Sequence, residues 1–294
     1  MNKKPYTPIE TYLSTNSSLI AHYKSNTNND KYSKYKKDIK RLSDKIENYL
    51  NETKRTPDQI LNIICLNLLL AAIEHENYLQ SKPKDRESKL LKTYFYSYPS
   101  IRKYFQYNSL AKYNNSKPKK EISPEDIFLQ GALMVYGWMP RIPSITPTCT
   151  ITPSGILDNS IKSSINFLTE IIKLKNWEDF QFDKNFKDNI DTLKQIVDNS
   201  LVAISKILHF TRPYEFPIWD TTICLALTDT ENQSNNIDTY IDYISDFNKF
   251  FNKHNKEITE ILPDKIWTNK LTLARLVELT IFLIAKQNQG QLRN

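Results

Sequence analysis

Lys206 and Asp220 stand fourteen positions apart and bracket the stretch "SKILHFTRPYEFPIWDTTI" at 205–223. A helix-like run from Ser205 to Phe210 breaks at Arg212-Pro213, a second proline follows at Pro217, and Asp220 stands where a new apolar run begins. An aspartate at that place is a favoured helix N-cap. It is also a carboxylate that can stabilise positive charge developing on a sugar while it helps activate water or an amine. A lysine amine is a nucleophile for such a centre. The two readings, a cap alone or chemistry on a nucleic acid, do not exclude each other. Lys206 lies opposite Leu201, Ile204 and Leu208 on a helical wheel, the pattern of an exposed lysine. His209 has no identifiable partner and reads as a packed histidine.

The charge distribution suggests a polyanion as the reaction's setting. Residues 1–120 hold 23 Lys and Arg against 11 Asp and Glu, whereas the remainder holds 17 against 22. Residues 88–120 contain eight basic residues, no acid, six tyrosines and two phenylalanines. Basic groups neutralise phosphates and aromatic faces stack on bases. Arg102, Lys103, Lys112, Lys117, Lys119 and Lys120 of this stretch, together with Arg212, are the expected DNA contacts. The bland alternative is a solvated basic helix face with tyrosines packed behind it.

These groups must be positioned mostly by helices. Only four glycines occur in 294 residues, too few for many tight hairpins or for a dinucleotide-binding loop. Cys65, Cys149 and Cys224 are scattered, as are His22, His75, His209 and His254, so neither a disulfide framework nor a metal site is expected, and no cofactor. Cysteine usage and the absence of an apolar leader in "MNKKPYTPIETYLST" point to a cytoplasmic protein. The longest apolar run, "ILNIICLNLLLAAI" at 60–73, carries Asn62 and Asn67 and suits a buried core helix, with no membrane partner.

Apolar spacing of three and four predicts helices at 32–50, 59–79, from 123 to the stop at Pro140, and at 158–175, 184–199, 201–210 and 220–228. Two more are expected, over "IDTYIDYISDFNKFFNKH" and over "NKLTLARLVELTIFLIAKQ". Thr56-Pro57-Asp58 and Ser123-Pro124-Glu125-Asp126 are helix-opening signals. The expected organisation is an all-α chain of two lobes. Residues 1–30 form a partly disordered opening and 31–140 a basic helical lobe. A proline-rich linker at 141–157 leads to a second helical lobe at 158–294.

A helix, a proline-bearing loop and an aspartate at the head of the next helix resemble the signature of the helix-hairpin-helix DNA glycosylases. "FPIWDTTI" looks like that family's loop-and-aspartate motif, and "AISKILHF" occupies the place of its second hairpin helix. "MVYGWMPRIPSI" at 134–145 is similar to a divergent 8-oxoguanine-glycosylase-like branch. The resemblance covers about residues 195–228 and, more faintly, 131–145. It implies a two-lobed helical glycosylase fold with a basic N-terminal helical extension, Asp220 as catalytic carboxylate and Lys206 as the matching Schiff-base lysine. A flipped base would be held by walls drawn from Tyr136, Trp138, Phe216 and Trp219, with Arg141 contacting the base or a phosphate. Two departures stand beside it. The hairpin segment "DNSLVAIS" has no glycine, and the Lys206–Asp220 interval is shorter than the family's by about one helical turn.

The resulting expectation is a monomeric glycosylase acting on double-stranded DNA and leaving an abasic site. The base is either modified cytosine in phage DNA, removed as antiviral defence, or 8-oxoguanine, removed with or without strand cleavage. Two rivals from other classes remain open: a non-catalytic helical nucleic-acid-binding module and a purely structural scaffold.

Overall fold

The computed structural model describes residues 6–26, 30–82, 86–108, 124–138, 159–174, 180, 182–267 and 271–290. All regular structure among them is helical, with no strand. In chain order the helices are α1 (Ile9–Thr15), α2 (Ser18–Ser25), α3 (Lys36–Ile46), α4 (Pro57–Gln80), α5 (Arg86–Asn108) and α6 (Pro124–Trp138). They continue with α7 (Asn159–Lys173), α8 (Lys184–Lys194), α9 (Leu201–Thr211), α10 (Thr221–Thr228), α11 (Ile237–Ile261) and α12 (Leu273–Asn288).

Contacts gather the chain into two compact units, neither continuous in sequence. The first comprises Met1–Tyr96, Asp220–Gln233 and Asp242–Asn294; the second comprises Ser97–Trp219 and Ser234–Ile241. The proline-rich stretch 141–157 lies outside the described residues.

In the first unit α4 is the central element, packed by α1, α2, α3 and α12. Its start follows from local chemistry. Thr56 accepts from the Gln59 amide while the Gln59 side chain accepts from the Thr56 amide, and Pro57 occupies a first-turn position that needs no donor. By length and composition α4 is the one described helix able to cross a membrane, yet its run from Ile63 to Ile73 is buried inside the unit. Asn67 sits in that run with no exposed surface. Its Nδ2 donates to the Leu13 and Asn16 carbonyls at 2.7 and 3.0 Å, partnering acceptors at the end of α1 that the helix itself leaves open.

The opening of the chain, expected to be partly disordered, contributes α1 and α2; residues 1–5 and 27–29 lie outside the described residues. Bonds from distant sequence hold α1. The Thr7 amide donates to the Leu227 carbonyl at 2.7 Å, and the Ile9 amide donates to Asp246 Oδ2 at 2.6 Å. Tyr6 Oη donates to the same carboxylate at 3.1 Å. Burial first, and then the Asp246 charge, pushes the Tyr6 phenol well above its ordinary value.

In the second unit α7 packs on α6 and α8, while α9 packs on α6 and α8. Phe105 stacks on Phe210 with ring centres 5.4 Å apart, and Tyr98 meets Phe210 at 5.3 Å. The glycine-free segment "DNSLVAIS" still turns tightly. Asp198 and Asn199 take left-handed backbone angles (φ 54° and 53°), a region that Asn and Asp enter more readily than other side chains.

Candidate active site

The turn at Asp198-Asn199 delivers α9. Ser200 caps it, accepting from the Ala203 amide at 3.2 Å, and the Leu201 amide donates to Asn235 Oδ1 at 2.8 Å. Two of the first amides of α9 are thereby spent inside the protein, and the Asp198 carboxylate stands at the turn. Neither feature favours a DNA phosphate at this helix end.

The helix itself is enclosed almost all round: from 201 to 210 only Val202 escapes full burial. Lys206 shares this enclosure, with 9% of its surface exposed. The helical wheel predicts an exposed lysine here. The difference arises because α6 and α8 both pack on α9, so the polar side of the wheel is covered too.

The polar residues of α9 bind the loop that follows. His209 Nδ1 lies 2.9 Å from the Phe216 carbonyl, and Nε2 lies 2.7 Å from Tyr98 Oη. A carbonyl only accepts, so Nδ1 carries the proton; in the neutral ring Nε2 then accepts from the tyrosine hydroxyl. His209 is thus a packed histidine with two partners. Ser205 Oγ accepts from the Trp219 amide at 3.1 Å and has both the Trp219 and Val202 carbonyls within 2.9 Å for its single hydrogen. Trp219 Nε1 donates to the Ser234 carbonyl at 2.9 Å, and Tyr240 Oη donates to the Pro217 carbonyl at 3.3 Å. Bonds at the Phe216 and Pro217 carbonyls, the Trp219 backbone and the Trp219 indole therefore fix the loop from Phe216 to Trp219.

Phe216 and Trp219 have no exposed surface. Both are core side chains of the second unit, and in this conformation neither offers an open face to a flipped base. Arg212 is similarly occupied. Its Nη1 donates to the Ile172 and Leu174 carbonyls at 3.0 and 2.7 Å, closing the end of α7, and its Nη2 meets Glu215 at 2.6 Å.

Asp220 differs from all of these. It has extended backbone angles and caps α10, with Oδ1 accepting from the Ile223 amide at 2.8 Å. Its other oxygen takes no hydrogen bond among the described residues, and the residue is half-buried. Tyr94 of α5 feels its charge: burial first, and Asp220 second, pushes the phenol above its ordinary value. Cys224, one turn along α10, is pushed up to about 11, again by burial first, with Asp220 contributing.

Tyr94, Tyr98 and Ser205 were not singled out by type and spacing. The two tyrosines are anonymous members of an aromatic stretch, and nothing in the local pattern names their long-range partners. Arg102 is half-buried and Lys103 exposed on α5. Tyr136 and Trp138 fall in the last turn of α6, with side chains outside the described residues; Arg141, Lys112, Lys117, Lys119 and Lys120 lie outside them altogether. Lys206 belongs to the second unit and Asp220 to the first. Among the described residues no three His, Cys, Asp or Glu side chains gather into a metal-binding group.

Compared with models of known families, with curated proteins and with solved structures, the chain matches none.

Proposed function

We propose that this protein is a DNA glycosylase that cleaves the N-glycosidic bond of a modified or damaged base and leaves an abasic site. The observation that carries the reading is the state of Asp220. It follows a pinned proline-bearing loop and caps the next helix through one oxygen, while the other takes no hydrogen bond among the described residues. A carboxylate so held stabilises positive charge on the sugar ring and orients water for attack. Lys206 is enclosed within the second unit, and a Schiff-base step by its amine is a separate proposal that the Asp220 reading does not need. Modified cytosine of phage DNA is the first substrate to test and 8-oxoguanine the second; the divergent, glycine-free hairpin fits an enzyme of defence better than one of housekeeping repair.

A second reading has its own support. Phe216 and Trp219 are enclosed and Arg212 is spent on carbonyls, which suits a helical nucleic-acid-binding module without catalysis.

The test incubates the protein with ordinary, 8-oxoguanine-bearing and glucosylated-hydroxymethylcytosine DNA and counts abasic sites with an aldehyde-reactive probe. The expected result is abasic sites on one modified DNA, falling by about a hundredfold or more in Asp220→Asn. DNA binding with no abasic product on any panel, equal in both proteins, supports the module and ends the glycosylase reading.

A further inference from the structure

α3 is the most basic described helix surface of the first unit, and it plays no part in the site above. Its eleven residues hold five Lys or Arg and two Asp. Ile39, Leu42 and Ile46 are buried, which fixes the helix's rotation and turns the basic residues outward. Lys36, Lys37, Lys40, Arg41 and Lys45 are all exposed. Lys37, Arg41 and Lys45 follow one another at intervals of four, forming a row along the helix with about 6 Å of rise per step.

The acids do not cancel this row. Asp38 is neutralised by Lys265 at 2.6 Å, whose Nζ also sits 4.8 Å from the centre of the Tyr35 ring. Asp44, in the neighbouring row, is the one acid of α3 left without an ion pair among the described residues. Lys36, Lys37, Lys40 and Lys45 have no ion-pair or hydrogen-bond partner among them either. Among the described residues Arg41 reaches a backbone carbonyl, that of Ile261 at 2.6 Å, and no carboxylate.

Such like charges repel one another when left unpaired, and a polyanion relieves that cost. We infer that the exposed face of α3 docks the phosphate backbone of duplex DNA. An anionic membrane fits less well: the apolar side of α3 is consumed in the core, so no residue of it remains to enter a lipid interface. A single strand fits less well too. Tyr32 and Tyr35 beside the row are buried, and no aromatic face on α3 is open for base stacking. The contact is to phosphates alone and is indifferent to sequence. The choice of DNA over RNA rests on the function proposed above; the duplex phosphate contact itself does not.

The experiment measures affinity for an unmodified duplex across a salt series, so no base excision is needed. The variant Lys36→Gln/Lys37→Gln/Lys40→Gln/Lys45→Gln keeps good helix formers at exposed positions and should leave the thermal melt unchanged. It is expected to bind roughly tenfold or more weakly, with the slope of log K against log salt reduced by about three to four. Lys37→Gln/Lys45→Gln should lose about half of that slope change, and Lys249→Gln/Lys256→Gln on α11 should leave it as in the wild type. An unchanged slope in the fourfold variant overturns the inference. So does α3-dependent binding confined to duplex RNA, or confined to phosphatidylserine vesicles. Absence of excision with α3-dependent DNA binding ends the glycosylase reading and leaves this inference standing. Excision with an α3-independent slope does the reverse.

Discussion

The two ends of the stretch 205–223 treat their polar groups in opposite ways. On α9, Ser205 and His209 are buried, and both bind the backbone of the following loop. At the head of α10, Asp220 is half-buried and spends one oxygen on its own helix. Burying a polar group costs free energy unless its bonding capacity is met; Ser205 meets it with backbone, and His209 with the Phe216 carbonyl and the Tyr98 hydroxyl. A half-buried carboxylate with one oxygen unbonded keeps acceptor capacity that a ligand could use. The contrast separates residues that hold the loop from the carboxylate proposed above to act on a sugar. It also shifts weight away from Phe216 and Trp219, which belong with the holders.

If that division is right, the largest effect on stability comes from removing a holder. Trp219→Ala deletes a fully enclosed indole and its bond to the Ser234 carbonyl. It is expected to cost about 3–5 kcal/mol, measured by chemical denaturation. A cost below about 1 kcal/mol would mean that the ring is free to leave its site, and would return it to the list of possible base-stacking walls.

The His209–Tyr98 bond offers a finer probe. His209→Phe leaves the Phe216 carbonyl and the Tyr98 hydroxyl without their partner, at about 1–3 kcal/mol. Tyr98→Phe removes the hydroxyl alone. The double variant is expected to lose less than the sum of the two, with a coupling of about 0.5–3 kcal/mol. Additive losses would show that the 2.7 Å contact contributes nothing to holding the loop.

What could be read from the chain divides along the same line. Elements set by their own residues were legible. α4 is marked by Thr56-Pro57-Asp58 ahead of its apolar run, α10 by Asp220, and α12 by its own apolar run; the structure adds the Gln59 partner of the first cap and the cap at Thr272. The all-helical character followed from the scarcity of glycine and the three-and-four spacing. Elements set by distant partners were not legible. α1 has only seven residues, too short to persist by propensity, and is held by bonds to Leu227 and Asp246 more than two hundred positions away. The burial of Lys206 depends on helices packing on both sides of α9, which no wheel of α9 contains. The turn at Asp198 and Asn199 has the same lesson in reverse: the missing glycines did not forbid left-handed angles, because Asp and Asn reach them at modest cost. For the candidate site, the position of Asp220 at a helix head was legible, but its neighbour Tyr94 was not.

The smallest expected effect bears most directly on the comparison, because it separates the cap that Asp220 provides from the chemistry proposed for it. Asn caps a helix about as well as Asp, whereas Ala does not cap. Asp220→Asn should therefore leave the stability of the protein within a few tenths of a kcal/mol of wild type, while Asp220→Ala should lose about 1 kcal/mol. Thermal or denaturant melts of the two variants measure the cap alone, since the amide oxygen of Asn can still accept from the Ile223 amide. If both variants lose the same amount, the negative charge rather than the cap is what the fold uses. Asp220 would then be a holder like Ser205 and His209. If Asn is silent in the melt, any loss of base excision in that variant belongs to the charge and to the open oxygen.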